Sequence, residues 1–126
     1  MQGFFDAYVE AALWSSTDES RPDGGDPLDQ NYVPANIARN TFEAMRSDCE
    51  QFRTDNEEHF TAENYEGRFG ADAQAGHDFW LTRNGHGCGF WDGDWKEPAA
   101  SILTAAAKAF GSFDLYIGDD GQIYGQ

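Results

Sequence analysis

Positive charge is what this chain has least of. Eight Lys and Arg, only two of them lysine, stand against 23 Asp and Glu, giving a net charge of −15 and a pI near 4.2. Binding nucleic acid by counterion release needs basic residues facing phosphates, and an anionic membrane surface repels such a chain in the same way. Direct contact with either is disfavoured. Long apolar runs are missing too: nothing approaches the roughly 20 apolar residues that span a bilayer. The opening MQGFFDAYVEAALW lacks a basic leader and carries Asp6 and Glu10 inside its apolar run, so it does not read as a secretory signal, and a cytoplasmic protein is expected. Cysteine is scarce; Cys49 and Cys88 are read as reduced thiols rather than a bridge in that compartment. Internal repeats and low-complexity linkers are absent as well. The 126 residues are therefore read as a single domain, 1–126.

What is present is apolar and aromatic surface. At 40% hydrophobic and 15% aromatic residues, burial offsets the entropy of ordering, so a folded chain is expected despite its charge. The acidity itself has three readings: plain solubility, adaptation to a salty milieu, and a carboxylate surface that imitates a phosphate backbone.

Phe4, Phe5, Tyr8, Val9, Ala12 and Leu13 recur at helical spacing, with Asp6 and Glu10 one turn apart on the other side, and predict a helix over about 3–14. Ser15 to Pro34, rich in Ser, Asp, Pro and Gly, reads as a long surface loop. A second helix, about 41–62, is expected to be capped by Asn40 or Thr41, with Glu43 reaching back as in a capping box. Its buried stripe would be Phe42, Met45, Cys49, Phe52 and Phe60. Glu43, Arg46, Glu50, Arg53 and Glu57 fall on its solvated side. Gly70 to Gly76 reads as another loop.

The span Gly76–Trp95, GHDFWLTRNGHGCGFWDGDW, holds three of the four tryptophans, two of the three histidines and five of the 14 glycines. Its Asn84-Gly85 dipeptide favours a type I′ turn, so a hairpin over about 78–91 is expected. In that register Arg83 faces His86, and Phe79, Leu81, Cys88 and Phe90 share one face. Gly87 and Gly89 then leave room for Trp80 beside Thr82 and Trp91. A third helix over about 97–110 starts at Glu97-Pro98, with Pro98 at its first position, buries Ile102, Leu103, Ala106 and Phe110, and ends at Gly111. Residues 113–124 form a second hairpin about the turn Gly118-Asp119-Asp120-Gly121. The fold class is α+β: a small antiparallel sheet built from two hairpins packed with three helices.

His77 and Asp92 meet at the open end of the first expected hairpin, near Asp78 and Asp94, where a divalent ion would find a His and carboxylate set. No paired-His or Cys-x-x-Cys spacing accompanies them, and no metal or other cofactor is called for. Asp92-Gly93-Asp94 and Gly118–Gly121 resemble calcium-loop fragments, but the twelfth position counted from Asp92 is Leu103, so they are turns. His86, between two glycines, has the setting of a general base without an accompanying nucleophile motif. The candidate binding residues are His77, Trp80, Arg83, His86, Trp91 and Asp92.

The stretches AALWSSTDE, GHDFWLTRNGHGCGFWD, LTAAAKAFG and LYIGDDGQIY cover most of the chain, and in them it resembles a family of small acidic proteins encoded by bacteriophages and prophages. The resemblance carries no catalytic assignment. It implies an accessory protein made in the host cytoplasm, with a host protein bearing a basic surface as partner. Such a partner would belong to a nucleic-acid-handling defence or transcription complex, engaged by DNA mimicry. The alternatives are a small His- and carboxylate-dependent, metal-assisted enzyme or ligand-binding domain centred on 76–95, and a soluble structural or assembly component. The exposed aromatics leave homodimer formation open.

Overall fold

In the computed structural model every residue is described except Met1, Arg21, Asp23 and Phe69, and Gln2 is described by its backbone alone; Asp23 of the expected first loop thus lies outside the described residues. Among the described residues, four α-helices are present, α1 (Gln2–Ser15), α2 (Arg39–Asn56), α3 (Ala71–Arg83) and α4 (Ala99–Lys108). Strands β1 (Thr17–Asp18) and β2 (Asp26–Pro27) pair antiparallel, as do β3 (Leu115–Ile117) and β4 (Ile123–Gly125). The fold is α+β, as expected.

Helix α1 buries Phe4, Tyr8, Ala11 and Ala12 completely and Phe5, Val9 and Leu13 nearly so, leaving Asp6, Glu10 and Trp14 outside. Its widest packing is against α3. Gly76 sets the closeness of that crossing: a methyl group there would overlap the Phe4 carbonyl oxygen. About one turn further along α3, Phe79 and Trp80 meet Tyr8 at ring-centroid distances of 5.3 Å each. The third layer is α2, whose Met45, Cys49 and Phe52 are fully buried; Phe42 and Phe60 are only partly so. Phe52 stacks on Phe79 at 4.1 Å and 8° between planes, which locks α2 to α3 through the centre of the core.

The hairpin expected over 78–91 is not formed. Helix α3 occupies 71–83 and absorbs both the expected loop 70–76 and the first expected strand. Ala71, Ala73, Gln74 and Ala75 are good helix formers, and Ala75 through Arg83 are buried on nearly every side, His77 excepted. A helix wrapped by the core has no polar face, so it reads like a buried strand. Asn84-Gly85 closes this helix instead of turning a hairpin: Gly85, at φ +71, donates to the Thr82 carbonyl at 3.2 Å, and His86 donates to that of Leu81 at 3.0 Å. These two bonds are a Schellman motif, and the positive φ is why glycine follows the cap. The Asn84 side chain donates to the Trp80 carbonyl and accepts from the Phe113 N–H, tying the cap to the chain beyond α4.

Other boundaries shift less. Helix α2 starts at Arg39 with no side-chain cap hydrogen bond; Asn40 accepts from the Thr41 N–H, and Glu43 pairs with Arg39 in place of a capping box. It ends at Asn56, followed by a 3-10 turn at Glu57–His59. Helix α4 starts after Pro98, which sits at the cap rather than the first helical position, while the Glu97 carboxylate accepts from the N–H and hydroxyl of Ser101. Ile102, expected in its buried stripe, is 41% exposed. Strands β1 and β2, with 3-10 turns at Leu28–Gln30 and Pro34–Asn36, structure part of the expected 15–34 loop. The second hairpin forms in the expected place, with Tyr116 opposite Tyr124.

Candidate functional site

The six sequence-derived residues divide into a buried pair and a surface group. Trp80, 2% exposed, belongs to the core. It seats against Tyr8 and Phe113 and donates its indole N–H to the Ser15 hydroxyl at 2.8 Å. The glycines expected to seat it lie elsewhere: Gly89 abuts the Thr82 hydroxyl and the Trp91 ring, and Gly87 faces open space.

Arg83 points inward, not across a turn to His86. Its guanidinium donates to Asp48 at 2.9 Å, to the Tyr8 hydroxyl at 3.1 Å, and to the carbonyls of Gly111 at 2.8 Å and Phe110 at 3.2 Å. The rings of Phe79, Phe110 and Phe113 each lie 5.5 Å from its centre. A fork with five donors suits this site, because it serves carboxylate, phenol and two carbonyls at once while three rings lie close to its charge. Burial pushes the Tyr8 hydroxyl well above its ordinary value, against the opposing Arg83 charge. The phenol stays neutral and Arg83 is a structural clamp.

Of the surface group, His77 and Asp92 lie in the surroundings of Asp78. This carboxylate, 1% exposed, accepts from the Trp95 indole at 2.8 Å and from Gln74 at 3.0 Å. His77 Nδ1 lies 3.5 Å from it, and the His77 ring tilts against the exposed Trp14 at 5.8 Å. Partial desolvation pushes the Asp92 carboxyl up, the charges of Asp78 and Asp94 add to this, and the Gly89 N–H and His77 work against it. Desolvation likewise raises the Cys88 thiol, with Asp92 and Asp78 adding to the effect. So His77, Asp78, Cys88 and Asp92 share one electrostatic neighbourhood although the hairpin expected to assemble them is absent. Among the described residues, no group of three or more His, Cys, Asp or Glu side chains is placed to hold a metal ion.

Trp91, 45% exposed, lies with Lys108 over its ring at 6.0 Å. With Trp95, Thr104 and Ala105 they line a shallow hollow on α4. His86, half-buried, completes the Schellman cap, its backbone N–H donating to the Leu81 carbonyl of α3.

A larger concavity lies on the opposite flank of α1. Phe5, Val9, Leu13, Tyr32, Val33 and Phe42 line an open groove of about 570 Å³ between α1 and the segment 29–34. Asp6, Glu10 and Asp29 stand on its rim, with Arg46. The sequence signal was the i, i+4 pair Asp6 and Glu10, which reads as an ordinary solvated face; the groove needs residues 29–34 folded back onto α1, and no periodicity announces that. Fold and sites together define a small, acidic α+β protein on an aromatic core. No protein-family model, curated protein or solved structure matches the chain.

Proposed function

We propose that the chain is a phage-encoded acidic accessory protein that acts in the host cytoplasm by binding and modulating a host protein with a basic surface. A nucleic-acid-handling defence or transcription complex, engaged through imitation of DNA charge, is the partner class this reading favours. The observation that carries it is the disposition of charge. Arg39, Arg46, Arg53, Arg83 and Lys96 are each paired with a carboxylate, and Lys108 lies over Trp91. Six of the eight cations are thus engaged within the molecule, while a net −15 of carboxylate remains to meet a partner. Long-range attraction of this kind accelerates association and weakens steeply with salt.

The test is affinity capture with the tagged protein from bacterial lysate at low and high salt. Recovery of one nucleic-acid-handling complex, lost at high salt and displaced by added DNA, supports the proposal; recovery of nothing at either salt removes it. A second reading, a His- and carboxylate-dependent enzyme or ligand-binding domain, rests on the neighbourhood of His77, Asp78, Cys88 and Asp92. It requires that His77→Ala abolish some ligand-induced rise in melting temperature; divalent ions giving neither heat nor a melting shift would remove its metal-assisted form.

A further inference from the structure

The groove beside α1 combines two properties that select one kind of occupant. Its wall is apolar: Val33 is 57% exposed on the lip, and Tyr32 and Phe42 are only partly covered. Phe5, Val9 and Leu13 repeat every four residues along its base, a strip about 12 Å long at 1.5 Å per residue. Its rim is acidic: three carboxylates, Asp6, Glu10 and Asp29, face one guanidinium, Arg46, which is already engaged by Glu50 at 3.2 Å. The rim repels an anionic ligand, as does the molecule as a whole. A fully hydrophilic cation would leave the apolar wall in water. An amphipathic segment satisfies both, with apolar side chains in the groove and Lys or Arg at its edges.

We infer that this groove docks a basic amphipathic peptide segment of the partner protein, one or two apolar side chains lying on Phe5, Val9 and Val33 and its cations against Glu10 and Asp29. The inference rests on the acidic-accessory reading and narrows it to one surface and one partner chemistry.

A fluorescein-labelled amphipathic Leu/Lys peptide is the probe, followed by fluorescence polarisation, with counterparts carrying Glu for Lys or Ser for Leu. The Leu/Lys peptide is expected to bind and both counterparts to fail. Reversing the rim with Glu10→Lys and Asp29→Lys is expected to weaken binding about tenfold or more. Val33→Ser, which alters the wall and no charge, is expected to weaken it severalfold. Reversing two carboxylates that do not line the groove, with Glu63→Lys and Asp119→Lys, is expected to change it about twofold at most. Unchanged melting temperatures establish that the variants fold. Failure of the Leu/Lys peptide to bind, or equal loss in the rim and distant variants, overturns the groove. The lysate capture repeated with the rim variant separates the two claims. Undiminished, salt-sensitive capture overturns the groove and leaves the accessory reading standing, whereas no capture by the unaltered protein overturns that reading itself.

Discussion

At Arg83 a single guanidinium joins four parts of the chain: α3, which carries it, α1 through Tyr8, α2 through Asp48, and the turn after α4 through two carbonyls. Removing the cation while its acceptors stay leaves Asp48 and two carbonyls short of a donor. Arg83→Met is therefore expected to destabilise the fold by about 3 kcal/mol, read by urea denaturation, and Arg83→Lys to recover only part of it, since an ammonium reproduces neither the fork nor the ring stacking. Asp92 has the opposite character. Its carboxyl is raised in the fold by partial desolvation first and the Asp78 charge second, so the folded state holds its proton more tightly than the unfolded one. The stability this confers is complete below the unfolded pKa and is lost as pH rises through the folded value. Asp92→Asn is thus expected to raise the melting temperature at neutral pH and to have no effect in acid. A melting-temperature difference independent of pH would show that the proton is not the cause. The sequence made Arg83 and Asp92 look alike, as polar residues in one aromatic stretch, because nothing local reveals which of them faces the core.

Helix α3 carries the main lesson at the scale of elements. Its composition contains aromatic and β-branched residues ahead of Asn-Gly, which favours a hairpin when the segment is taken by itself. Tertiary burial on nearly all sides reverses that preference, and Asn84-Gly85 serves a helix end in which Gly85 alone is left-handed, where a type I′ turn would have needed both residues so. Gly85→Ala is expected to cost about 1 kcal/mol through the positive φ. Gly76→Ala is expected to cost more, about 2 kcal/mol or above, even though alanine is the better helix former: the methyl would collide with α1 backbone, and separating the two helices opens the core. Chemical denaturation of the two variants orders them, and a stabilised Gly76→Ala would show that the crossing is not tight. Helix α1 and the β3–β4 hairpin, by contrast, were legible from sequence, one from clear amphipathic spacing and the other from a Gly-Asp-Asp-Gly turn between short β-preferring runs.

Across the whole molecule, charge acts in two directions. At a net −15 the compact state repels itself, so added salt is expected to raise the melting temperature by screening. The same salt is expected to weaken capture of a basic partner. Opposite responses to one variable distinguish loss of binding from loss of fold; parallel decline of both in salt would contradict the electrostatic account. The acidic surface was fully legible from composition. The groove was not, because it arises where residues 29–34, more than a dozen positions from α1 along the chain, fold back against it.

The sequence by itself determined the α+β class, α1, α2, α4, the final hairpin and the sign of the outward field, since these follow from local periodicity, turn residues and a sum of charges. Only the tertiary structure decided that 71–83 is a helix, that Trp80 and Arg83 are interior while Trp91 is partly exposed, and that an apolar groove opens between acidic residues of α1 and the 29–34 segment. Each of those depends on which surfaces pack together, and packing joins residues far apart in sequence whose contact no local pattern encodes.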